Sequence, residues 1–190
     1  QAQLQWLSNL SCPLPIQAWL KIDSGMGRLG FELNKALDAY KWLENSRQIA
    51  QPIRIMSHLA CADDPSNPLN QNQINAFNHF IKELPNKNAT EYSLCNSAGA
   101  FQYPDSHHHF IRPGIALYGA SPLLNKTATE LGLKPVMTLQ TSLIATKHVS
   151  KGSPIGYGAR FTCPADLPVG IIAFGYGDGY PRTTKDGAPI

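Results

Sequence analysis

The chain has 190 residues, 43% of them apolar and 15% charged, with a net charge of +3. That length suits one large domain or two small ones, the apolar content supports a packed core, and so few charges exclude a disordered chain. The Lys and Arg residues are scattered, which argues against a nucleic-acid surface, and no apolar run reaches the roughly 18 residues that span a bilayer. The stretch "QAQLQWLSNLSC" lacks the pattern of a signal peptide. Because it opens on Gln1 rather than methionine, a cut end is expected. Cys12, Cys61, Cys95 and Cys163 lie far apart with no CxxC pair, and read as reduced, half-buried thiols in a cytosolic setting.

From about 16 to 120, strands alternate with helices. Residues 16–23 read as a strand, with Ala18, Leu20 and Ile22 on one face and Trp19, Lys21 and Asp23 on the other. Residues 32–47 read as a helix whose apolar face is Leu33, Ala36, Leu37, Tyr40 and Leu43. A strand over 53–60 precedes a helix over 68–84, with Asn67 as N-cap, Pro68 in the first turn and a stripe of Ile74, Phe77, Ile81 and Leu84. Residues 91–96 form a third strand and 110–118 contain a fourth. Such alternation implies a parallel sheet in an α/β fold. After Gly132 the texture becomes β-rich, with strands over 136–149 and 169–174 separated by Gly and Pro turns. The triple His107-His108-His109 reads as a solvated turn, because neighbouring side chains of an extended chain point apart and rarely share one metal ion.

Polar residues recur at the C-terminal ends of the strands: Lys21 and Asp23, then His58 in "IRIMSHLA", then Asn96 and Ser97 in "YSLCNSAG", then Arg112 in "FIRPGIALYG". Parallel α/β folds, and (β/α)₈ barrels above all, build their active sites on that edge. Gly114 lets its backbone N–H approach an anion closely, and with the Ser97 hydroxyl it suits a phosphate; a tight turn that needs only glycine explains it equally well.

Six ordered motifs, "KIDSGMGRLG", "SHLACADD", "NSAG", "RPGIALYG", "PIGYGARF" and "FGYGDGYPR", make the chain resemble alanine racemase. That family uses pyridoxal 5'-phosphate and pairs a (β/α)₈ TIM-like barrel with a C-terminal β domain. The resemblance implies that residues 1–132 are the second half of the cofactor-binding barrel and 133–190 the beginning of the β domain. It implies that Arg112 faces the cofactor's pyridine nitrogen and that Ser97, Gly114 and Ile115 contact its phosphate. Tyr157 matches one of two catalytic bases, His58 the histidine that hydrogen-bonds it, and Arg28 an arginine at the cofactor's phenolic oxygen and the substrate carboxylate. Tyr176 matches a residue at the substrate approach of the neighbouring site. Lys21 matches a lysine that is carbamylated in many members; the unmodified alternative pairs it with Asp23 or another carboxylate. No metal ion is implied.

The activity implied is two-base racemisation of L- and D-alanine, as for D-alanine supply to peptidoglycan in the bacterial cytoplasm. The implied assembly is a homodimer with shared sites. A broad-specificity or serine racemase of the same fold, and a non-catalytic pyridoxal-phosphate-binding protein, are the alternatives. No stretch like the family's "KANAYGHG", which carries the Schiff-base lysine, occurs here. The chain is therefore expected to be a central portion of a longer enzyme, inactive and poorly soluble by itself.

Overall fold

A computed structural model of the chain describes residues 2–188. It opens with a helix that sequence analysis passed over, α1 (Ala2–Ser8). One side of it, Leu4 and Leu7, packs partly against the core, the i, i+3 spacing that puts two side chains on one helical face. Strand β1 (Ile16–Asp23) has the expected bounds, and β2 (Phe31–Glu32) follows. Helix α2 (Leu33–Asn45), β3 (Ile49–Met56), α3 (Leu69–Glu83), β4 (Glu91–Ser93) and a short helix α4 (Ser97–Gln102) continue the alternation. The sheet is wholly parallel, in the order β2-β1-β3-β4.

Burial explains the arrangement. Leu20 and Ile22 of β1, Ile53 and Ile55 of β3, Ala36, Tyr40 and Leu43 of α2, and Ile74, Phe77 and Phe80 of α3 form one core. Phe80, rather than Ile81, completes the buried stripe of α3. Each fully buried side chain of this size contributes about 1.5–3 kcal/mol. The opposite face of β1 carries Trp19, Lys21 and Asp23, all only partly covered.

Two expected strands differ from the structure. The one placed over 53–60 runs from Ile49 to Met56 instead. Pro52 lies inside it, where the ladder with β1 shifts register and accommodates a residue with no N–H to donate. The stretch 110–118 supplies only a single bridge, Phe110 beside Ser93. Pro113 removes a ladder donor, and Ile115–Tyr118 winds into a 3₁₀ turn. The turn at His108 and His109 is exposed, as expected, while His107 is partly covered. His107 Nε2 donates to the Ala100 carbonyl (2.8 Å), His109 Nδ1 accepts from the Tyr92 N–H (3.1 Å), and the His108 ring stands edge-on to Phe77. Among the described residues no group of three or more His, Cys, Asp or Glu is placed to hold a metal ion.

The chain divides into two units, Gln1–Met137 and Thr138–Ile190. In the second, β5 (Leu143–Val149) pairs antiparallel with a later strand, and the short strands β6 (Pro154–Ile155) and β7 (Phe161–Thr162) pair with each other. The partner of β5 is β8 (Leu167–Ile172). Residues 136–142, expected as the first half of a long strand, have no ladder partner among the described residues. No helix of the described residues is long and apolar enough to cross a membrane.

Candidate active site at the strand ends

The C-terminal edge of the parallel sheet gathers Lys21, Arg28, His58, Ser97 and Arg112. At the end of β1 the Asp23 carboxylate turns back on its own chain. Its Oδ1 accepts the N–H groups of Gly25 (2.9 Å), Met26 (2.9 Å) and Gly27 (3.1 Å). These donors, that of Gly25 foremost, hold its carboxyl below the usual range. The turn it shapes carries Arg28, which is exposed, and closes at Gly30. There φ is +133°, and a Cβ would lie 2.7 Å from the Ile22 carbonyl carbon, so only glycine fits. Lys21 stands behind this turn. Burial, then the charges of Arg28 and Arg112, push its ammonium pKa down, and Asp23 offsets them in part.

Arg112 is fixed by neutral groups. Nη1 donates to Ser93 Oγ and Nη2 to the Ser57 carbonyl, with His58 Nδ1 at 3.5 Å. Ser93 spends its own proton on the Phe110 carbonyl (2.8 Å), so its lone pairs face the guanidinium. Among the described residues Arg112 has no carboxylate within ion-pair distance.

Both ring nitrogens of His58 face donors, Nδ1 the Arg112 guanidinium at 3.5 Å and Nε2 the Asn96 Nδ2 at 3.4 Å. The cationic guanidinium is the stronger donor of the two, which favours the lone pair on Nδ1 and the proton on Nε2. The 3.4 Å approach of Asn96 Nδ2 to Nε2 is then a packing contact between two donors. The Asn96 amide is already engaged, donating to the Leu59 carbonyl (3.2 Å) and accepting from the Gly99 N–H (2.9 Å). Burial, Arg112, Arg28 and Lys21, in that order, lower the His58 pKa and keep the ring neutral.

Beside them Ser97, 5% exposed at the start of α4, accepts from the Gly114 N–H (2.7 Å) and the Ala116 N–H (3.3 Å). Among the described residues its own proton meets no acceptor. The Ile115 N–H, first in its 3₁₀ turn, is likewise unspent, as the opening donors of a helical turn are. A Cβ on Gly114 would meet nothing within 4 Å. Two free donors therefore border open space.

Tyr157 and Tyr176 belong to the second unit, where they line one open cleft of about 560 Å³ with Arg160, Arg182 and Asp186. Tyr157 is 95% exposed at the tip of a glycine-flanked turn. The Arg182 guanidinium lies 6.0 Å from the Tyr176 ring centre, and Arg160 pairs with Asp186 at 3.7 Å.

Sequence reasoning missed Ser57, Ser93 and Gln73, which hold the backbone and side chains of this edge. A lone serine or glutamine carries no pattern that announces its partner. The signal available was position, since Ser57 and Ser93 each fall within three residues of a strand-end polar group already singled out.

Comparison with known proteins bears on this arrangement. The N-terminal domain of alanine racemase matches residues 1–122 and the C-terminal domain residues 136–190. The chain belongs to the alanine racemase family. It is 46% identical over 191 residues to an alanine racemase of Shewanella woodyi, covering 100% of this chain and 52% of that protein. Among solved structures it is similar to the biosynthetic alanine racemase of Pseudomonas aeruginosa, with TM-score 0.89, 36% identity, and coverage of 98% of this chain and 51% of that one. It is also similar to an alanine racemase of Bartonella henselae with covalently bound pyridoxal phosphate, with TM-score 0.70, 29% identity, and coverage of 95% and 48%. The chain thus spans about half the length of the relatives it matches. The parallel sheet followed by antiparallel pairs is the portion of the family fold that this racemase-family chain contributes.

Proposed function

We propose that the full-length protein interconverts L- and D-alanine with pyridoxal 5'-phosphate, and that the strand-end cluster is its cofactor and substrate site. The observation that carries this reading is the neutral cage around Arg112 beside two unspent donors. A half-buried guanidinium with no carboxylate partner among the described residues is open to a neutral ring nitrogen, and Ser97 O–H with Ile115 N–H, next to the open space at Gly114, suits a phosphate. The donor set therefore fits the cofactor. When bound, pyridoxal phosphate supplies an electron-withdrawing ring that loosens the α-proton of an attached amino acid.

The residues of this chain do the rest. Arg112 keeps its own proton, because guanidinium gives one up only far above neutrality. A pyridine nitrogen facing it therefore stays unprotonated, which limits charge build-up on the ring. Tyr157 takes or returns the α-proton on one face of the substrate. A free phenol, with a pKa of about 10, needs a donor to act as a base near neutrality, and His58 has its Nε2–H to offer. The opposing base is the family's lysine, which this sequence does not include. Arg28 receives the substrate carboxylate, and Tyr176 borders the substrate's approach. Tyr157 and Tyr176 act in the site of the other subunit of a homodimer.

Lys21 is carbamylated in this reading. Its lowered pKa raises the share of neutral amine, which adds to carbon dioxide and releases one proton. The product is an anion beside Arg28 in place of a second cation. Isotopically labelled bicarbonate should enter Lys21 and no other lysine.

The deciding experiment is racemisation by the full-length protein, purified with pyridoxal phosphate and given each alanine enantiomer. Equal approach to the racemate from both sides is expected. Tyr157→Phe should lose about 10²–10⁴ in rate, the usual worth of a positioned acid or base. A loaded wild-type enzyme that leaves alanine untouched would end the proposal.

A further inference from the structure

His58 sits just beyond β3, in a segment that belongs to no strand or helix. Its backbone polar groups therefore need partners from elsewhere. Two side-chain amides supply them. Gln73, on α3, accepts the Ala60 N–H at Oε1 (2.8 Å) and donates from Nε2 to the His58 carbonyl (2.9 Å). Asn96 donates to the Leu59 carbonyl between them (3.2 Å). Three consecutive residues are thus gripped by side chains that lie 13 or more positions away in sequence.

Gln73 is 0% exposed. An amide in the interior is costly unless both of its ends are bonded, and an apolar side chain of similar volume would fill the space without that risk. Here both ends are spent on the two residues that bracket Leu59. The stem of the same side chain lies under the turn that carries Arg28: a Cβ on Gly25 would come within 3.2 Å of Gln73 Cγ. One buried residue therefore supports both loops that bring polar groups to the sheet edge.

The geometry points to Gln73 as a positioning residue that holds His58 where Arg112 meets Nδ1 and Asn96 stands beside Nε2. This rests on the proposed use of His58 beside Tyr157. The clamp acts on the main chain and leaves both ring nitrogens free for their own partners. Arg112, Arg28 and Lys21 are the charged groups around the ring. Releasing the clamp lets the ring move toward water and away from them, so its pKa should climb toward the ordinary histidine value.

Two variants of the full-length protein test this. Gln73→Met keeps the volume and loses both hydrogen bonds. Gln73→Glu keeps the acceptor for the Ala60 N–H and loses the donor to His58. The His58 ring is titrated by NMR without cofactor, and kcat and KM for alanine are then measured with it. Both variants should raise the His58 pKa, the Met variant more. The kcat should fall on the order of tenfold to hundredfold, as misplacement of a catalytic group does, while KM stays near wild type because both variants keep the Cγ stem that lies under the Arg28 turn.

A His58 that titrates as in wild type in the folded variants overturns the proposal. So does a KM that rises in step with the fall in kcat. If the Met variant does not fold, the Glu variant decides on the same two readouts. A wild-type enzyme inactive on alanine would sink the proposed activity alone, since the titration still reads the clamp.

Discussion

His58 shows how a single ring reports on its surroundings. Its pKa is depressed, chiefly by burial and then by Arg112, Arg28 and Lys21. The unfolded chain therefore takes up a proton at a higher pH than the folded one. The linkage follows directly: His58 contributes stability in full above its unfolded pKa of about 6.5, and that contribution drains away as pH falls through the folded value. Denaturant midpoints of the full-length protein should drop between pH 7.5 and 5.5 by less in His58→Gln than in wild type. Equal drops in the two proteins would show that the ring is as free to charge in the folded state as in the unfolded one. Cys95 illustrates burial outweighing the opposing charge of Arg112. Its thiol is pushed up to about 11 and donates toward the Ser106 carbonyl, so it should resist alkylation that consumes the exposed Cys12.

Between strands and helices, the turns decide what the sheet can present. The turn from β1 to β2 is held by the three N–H bonds to Asp23 and by Gly30, where φ is +133°. Gly30→Ala forces a Cβ against the backbone of Ile22 and Asp23, at a cost of about 1–3 kcal/mol. Thermal melts should show that loss, and substrate affinity should weaken with it, because Arg28 rides on the same turn. Much of this level was legible in the sequence. The alternation of apolar and polar residues fixed β1 to the residue, and the i, i+3, i+4 spacing found α2 and α3. The polar residues after each strand were legible as a group because a parallel sheet gathers its C-terminal ends on one side. What escaped notice depended on partners distant in the chain. Pro52 lies inside a strand only because β1 shifts register beside it. The 110–118 stretch looks like a strand until Pro113 and Gly114 turn it. Gln73 was one more polar residue on a helix until the fold brought the His58 loop over it.

At the scale of the whole molecule, surface area is the informative quantity. The chain exposes 12865 Å². Two separate domains of these lengths would expose only about 10,600 Å². Met137, Leu143 and Ile144 are each at least 60% exposed, and six of the seven residues of β5 face solvent. In the first unit the sheet is open along β2, while Phe110 bridges to β4, and a cavity of about 750 Å³ runs past Trp19, Lys21, Phe31 and Met56. Parallel sheets are ordinarily covered on both faces, and unpaired edges invite association. The 190-residue polypeptide expressed by itself should therefore bind an apolar-surface dye and elute as mixed aggregates in size-exclusion chromatography. It should also fail to racemise alanine when pyridoxal phosphate is added, because one of the two proposed bases lies outside it. The full-length protein should elute as a single dimeric species and bind little dye. A monomeric, dye-silent 190-residue polypeptide would show that these exposed faces are tolerated in water, and racemase activity in it would show that the second base lies within these residues.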